Sequence, residues 1–133
     1  MSEMHDYIED GYTQPGYIAA AEGLHGPLEF EFRPALGKLA DKITSLIQGD
    51  RPDYEAFWNA VAKALGSEPR LLQSWSLKDS KGQAVPINEA AIQRVRQLMV
   101  HKLWMIVSGH RPSDPRPDGS QPAKATPEAD VKN

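Results

Sequence analysis

The stretch EAAIQRVRQLMVHKLWMIV, residues 89–107, decides how this chain folds, because more of it is apolar than one buried face requires. Ile92, Val95, Met99, Leu103 and Ile106 recur at helical spacing and form a core stripe. In the second half Leu98 and Met105 widen that stripe on one side, and Val100, Trp104 and Val107 on the other. Only His101 and Lys102 interrupt. Asn88 is a capping residue before the run and Gly109 a stop after it, so the pattern predicts one helix over 89–108. A helix apolar almost all round is either central in its domain or part of an interface. Small domains leave much of their surface uncovered. The excess therefore points to a partner-binding or self-association face made of Leu98, Val100, Trp104, Met105 and Val107, with Trp104 as its anchor.

Upstream, PLEFEFR (27–33) alternates strictly, with Leu28, Phe30 and Phe32 on one side and Glu29 and Glu31 on the other. That period of two marks a half-buried strand. With GYIAAAE (16–22) across the GLHG spacer it predicts a hairpin. From Pro34, Leu36, Leu39, Ala40, Ile43, Leu46 and Ile47 predict a helix ended by Gly49. Asp50 and Asp53 offer caps for the next, whose stripe is Tyr54, Phe57, Trp58, Val61, Ala62 and Leu65, ending at Gly66. PRLLQSW (69–75) suggests a short third helix. SWSLKDSKGQAVPIN (74–88) reads as a hairpin-like strap, turned at Lys81-Gly82 and pinned by Trp75, Val85 and Ile87. The fold class expected is α+β, mainly helical: an N-terminal β-hairpin packed on a bundle of three to four helices. Its core would hold Phe30, Phe32, Leu39, Ile43, Phe57, Trp58, Val61, Ile92, Val95, Met99 and Leu103.

The 133 residues support one domain. Residues 1–15 read as an acidic arm, 16–111 as the globular part, and 112–133 as a disordered tail holding five of the eleven prolines and no aromatic residue. Residues 1–33 carry seven acids against Arg33 alone, whereas 34–111 carry eleven bases and seven acids. An acidic arm on a mildly basic body suits a protein partner better than nucleic acid. MSEMHDYIEDGY lacks the apolar core of a secretory leader, and no uncharged apolar run approaches the ~20 residues that cross a bilayer, so a cytoplasmic protein is expected.

The chemistry of catalysis is not written in the chain. There is no cysteine, and His5, His25, His101 and His110 fall in no metal-ligand spacing, so no metal site and no cofactor are expected. No serine lies in a nucleophile elbow, no glycine cluster forms a phosphate loop, and Glu9-Asp10 sits in a polar stretch where nothing would shift its acidity. No catalytic residue is assigned. Arg94, Arg96 and Lys102 could face nucleic acid, but on a continuous helix residues two apart diverge, so solvated charge is the expected role.

The strap also carries a resemblance. Trp75, Leu77, Asp79, Gly82, Val85, Pro86 and Ile87, followed by a long helix and preceded by a PLEFEFRP strand, resemble the tail assembly chaperones of long-tailed bacteriophages and prophages over residues 16–110. The resemblance implies a non-catalytic protein of the host bacterial cytoplasm. It would bind the tape measure protein, keep its long apolar helices soluble and help recruit tail tube subunits, itself usually absent from the finished virion. Many such proteins also exist as a longer, frameshifted form. The other classes weighed are a structural virion component, such as a head-tail connector or tail completion protein, and a small nucleic-acid-binding regulator.

Overall fold

The computed structural model describes residues 7–119. The hairpin forms as the alternation dictates: β1 (Gln14–Ile18) pairs antiparallel with β2 (Leu28–Phe32), Gly16 facing Phe30 and Ile18 facing Leu28. Leu28, Phe30 and Phe32 are buried, while Glu29 and Glu31 are exposed. β1 therefore begins two residues before the boundary expected for the acidic arm. The Phe30 ring lies over Gly16, where a Cβ would come within 2.4 Å of it, so a glycine makes room for the aromatic ring.

The helical bundle expected from the sequence does not form. Residues Leu72–Trp75, expected as a helix, are a third strand, β3, antiparallel to β2 with Phe30 opposite Trp75. The sheet order is β1-β2-β3, with helix about 35% and strand about 16% of the described residues. A helix over 69–75 has little stability of its own and depends on tertiary partners. The open edge of β2, by contrast, supplies partners at once: Arg33 N–H donates to Leu71 O at 2.7 Å and Ser76 N–H to Glu29 O at 2.8 Å.

Among the described residues, four helices and a 3-10 turn complete the fold. α1 (Gly37–Thr44) continues into the 3-10 turn Ser45–Ile47, and Gly49 follows at positive φ as the stop residue. α2 (Tyr54–Gly66) is capped by Asp53, whose carboxylate accepts from Ala56 N–H at 3.0 Å. Leu39, expected in the core, is 36% exposed, and Trp58 and Val95 are only half-buried; the other eight expected core residues are buried. Gly66 does not end α2 as a left-handed cap. It is the last helical residue, and a Cβ there would lie 2.6 Å from the Asn88 carbonyl carbon and 2.7 Å from Glu89 N. Its lack of a side chain lets α2 meet the backbone that starts α3.

The run 89–107 is two helices rather than one. Asn88 caps α3 (Glu89–Ile92) through Ala91 N–H at 2.8 Å, residues 93–96 leave the helix, and α4 (Gln97–Val107) starts afresh after Arg96 at φ −57, ψ 134. No proline or glycine marks the break. Its cause is tertiary: α3 is held on α2, while α4 packs beside β1. α4 ends in a Schellman cap, with His110 N–H on Met105 O at 2.8 Å, Gly109 N–H on Ile106 O at 3.1 Å and Gly109 at φ 82. Met99, Val100, Leu103, Trp104, Ile106 and Val107 are all buried in one apolar cluster with the sheet face, α2 and Ile43 of α1.

The stretch after Arg111, expected to be a tail from Pro112 onward, docks on the sheet through its first residues. Ser113 is buried; its hydroxyl accepts from Tyr17 N–H at 2.6 Å and donates to Tyr17 O at 3.1 Å. Asp114 N–H donates to Tyr17 O at 2.9 Å, and its carboxylate accepts from Ala19 N–H at 2.9 Å and pairs with Arg111. Arg116 reaches Glu29 at 3.2 Å. These residues satisfy the outer edge of β1, which a bare strand would leave open. The rest of the expected tail, 120–133, and residues 1–6 of the acidic arm lie outside the described residues.

Two measurements check this packing. Gly66→Ala should destabilise the protein by about 2 kcal/mol in chemical denaturation: the gain in helix propensity is near 1 kcal/mol, but the collision is with backbone that cannot rotate aside. Truncation after Arg111 should also cost about 2 kcal/mol or more, because it strips partners from the amides of Tyr17 and Ala19. An unchanged midpoint would mean that residues 113–116 do not hold the edge.

Candidate functional site

The strap folds as a tight hairpin. Asp79 organises its turn, the carboxylate accepting from Lys81 N–H at 2.9 Å and Gln83 N–H at 3.0 Å, while Gly82 takes φ 78. Lys78 bridges to Ala84, and Val85 N–H donates to Leu77 O at 3.1 Å. Trp75 Nε1–H donates to Val85 O at 2.7 Å, fastening the strap to the end of β3. Trp75 and Ile87 anchor the strap as read from the sequence, each half-buried against the core, while half-buried Val85 holds it through its backbone carbonyl on the Trp75 indole.

This strap forms one wall of a cleft of about 490 Å³, and the break between α3 and α4 forms the other. Leu77, Val85, Pro86, Val95 and Met99 supply apolar lining. Lys78, Arg94 and Arg96 bring positive charge, and His25 closes one side from the β1-β2 connection. His25 Nδ1–H donates to Gly26 O at 2.8 Å, which leaves Nε2 to accept from the Lys102 ammonium at 3.0 Å. The expectation that Arg94 and Arg96 diverge is thus overturned. It assumed a continuous helix, whereas the chain between them is not helical and both arginines line the same cleft.

The site expected on the last helix is largely not at the surface. Val100, Trp104 and Val107 are 5%, 1% and 0% exposed, so these three are core residues of this chain and cannot meet a partner. The Trp104 Nε1–H is buried and has no hydrogen-bond partner among the described residues, a penalty accepted for the fit of the ring. Leu98, at 39% exposed, stands at the surface, and Met105 is half-buried. On α4 they share a face with exposed His101, whose ring meets the edge of Trp58 at 6.2 Å between centroids. The sequence pattern counted apolar residues correctly but assumed one covering surface for the helix; sheet, α2 and the residues following β2 cover it on several sides, as Ala35 N–H donating to Val107 O at 2.9 Å illustrates.

Smaller grooves lie nearby among the described residues. One of about 300 Å³ lies across Val95 from it, lined by Glu55, Trp58, Asn59, Gln93 and Gln97 among others. Another, about 410 Å³, runs between α1 and α2 past Leu39 and Ala64. Among the described residues no group of three or more His, Asp or Glu side chains could hold a metal ion, and no helix is long and apolar enough to cross a membrane. Comparison with protein-family models, with curated proteins and with solved structures returned no match.

The core assignment has a direct test. Trp104→Ala should lower stability by about 3–5 kcal/mol, whereas Leu98→Ser should stay within about 0.5 kcal/mol of the parent. A Trp104→Ala protein that melts normally would return the indole to the surface.

Proposed function

We propose that this chain is a non-catalytic protein-binding module, and that it serves as a tail assembly chaperone which takes up helical segments of a tape measure protein. The observation that carries the reading is the cleft between the strap and the α3-α4 break. Its apolar lining is open to solvent and is bounded by secondary structure on both sides, which suits a side-chain row from another chain. The same strap supplies the residues of the family resemblance, Trp75 to Ile87. Met105, half-buried further along α4 beside exposed Leu98, brings an adaptable side chain, of use to a protein that must accept varied helices. In this reading the protein acts in the host cytoplasm during tail morphogenesis, engages tail tube subunits after the tape measure protein, and leaves before the particle is complete.

Ala84, an exposed lining residue, provides the test. Co-expressed with the tape measure protein of a long-tailed phage, the parent should keep that protein in the soluble fraction. Ala84→Trp, which fills the mouth of the cleft, should lose at least about tenfold in affinity for it with an unchanged melting temperature. Precipitation of the helical protein with the parent, or equal binding by the variant, would refute the reading, as would recovery of the chain from purified virions.

A further inference from the structure

We propose that the cleft selects acidic segments: its occupant carries carboxylates, set among apolar residues, that meet Lys78, Arg94 and Arg96. This rests on the reading of the cleft as a protein-binding site and adds the chemistry of the partner.

The charge around the cleft is unspent. The ion pairs of the described residues join Arg70 to Glu68, Arg111 to Asp114 and Arg116 to Glu29, and none of them engages Lys78, Arg94 or Arg96. All three of those side chains are exposed. Asp79 is the one acid in the lining; its Oδ1 accepts from the amides of its own turn, and its single negative charge leaves the three cations in excess. Lys102 adds a further ammonium at the rim through its contact with His25. The chain as a whole is negative, with a formal charge of −3, so this concentration of cations runs against the average. Among the described residues no ion pair consumes it.

Position makes the charge usable. Ion pairs in open water contribute little, but charges at the edge of an apolar floor meet their partners in a less aqueous setting. The break at residues 93–96 turns Arg94 and Arg96 toward the same space, and α4 begins there with no side chain capping its first amides. The positive end of that helix adds to the same field. Nucleic acid fits less well. Among the described residues no Phe, Tyr or Trp lines the cleft for a base to stack on, and the net negative charge of the chain opposes a polyanion.

The experiment is selection from a displayed library of random peptides, run in parallel on the full chain and on its R94Q/R96Q variant, with labelled oligo(dT) as a separate probe. The parent should enrich peptides rich in Asp and Glu on an apolar background. A selected peptide should bind the variant about tenfold more weakly, and rising salt should narrow that gap. Both substitutions are at exposed positions, and matching melting curves would confirm that the variant is folded. Enrichment of apolar peptides without acids would overturn the charge selection while leaving protein binding in place. Acidic peptides that bind parent and variant alike would place the site elsewhere and overturn it as well. No enrichment at all would sink both readings, and oligo(dT) bound more tightly than any peptide would convert the cleft into a nucleic-acid site.

Discussion

The burial of α4 is the constraint on which the other elements depend. Six of its eleven residues are buried, and they point to more than one side of the helix, so no single neighbour can cover them. The sheet face of Leu28, Phe30 and Phe32 joins the same cluster, together with α2 and Ile43. Each large side chain in such a cluster contributes about 1.5–3 kcal/mol when removed from water. A helix this apolar therefore fixes where the sheet and the other helices must go. The indole nitrogen of Trp104, without a partner among the described residues, shows the order of priorities, since packing the ring outweighs satisfying its one donor.

Central placement of α4 also explains the break before it. α3 is tied to α2 by the close approach at Gly66, where the next backbone fills the space a side chain would need. α4 has to lie against the sheet. One straight helix over 89–107 cannot do both, and four residues with turn conformations absorb the change of direction. The backbone of the break stays hydrogen-bonded, Gln93, Arg94 and Val95 N–H donating to Glu89, Ala91 and Ile92 O, and the result is a concave surface. Arg94 and Arg96, which a continuous helix would splay apart, instead border the cleft that the strap completes. The functional proposal thus follows from the same packing conflict that shapes the core.

The β1 edge of the sheet is covered. β3 closes one side of β2, and the outer side of β1 is met by Ser113 and Asp114, whose side chains and backbone take up the amides of Tyr17 and Ala19. An open strand beside an apolar face would invite pairing with other chains. Proline-rich composition hid this role, because the residues that dock do so by hydrogen bonds rather than by apolar anchors.

Local chemistry was legible in the chain. Strict alternation at Leu28–Phe32, the caps at Asp53 and Asn88, the turn at Gly82 and the stop at Gly109 each depend on neighbours a few residues away, and all stand where the pattern put them. Apolar spacing likewise found most of the core. It could not say which surface would cover which stripe, because periodicity records that a side chain is buried but not by what. For that reason Val100, Trp104 and Val107 read as an interface and are core, and Leu72–Trp75 read as helix and is strand. The break at 93–96, the cleft it opens and the docking of residues 113–116 have no local signal at all. They arise when distant segments compete for the same space, and only the folded chain sets the terms of that competition.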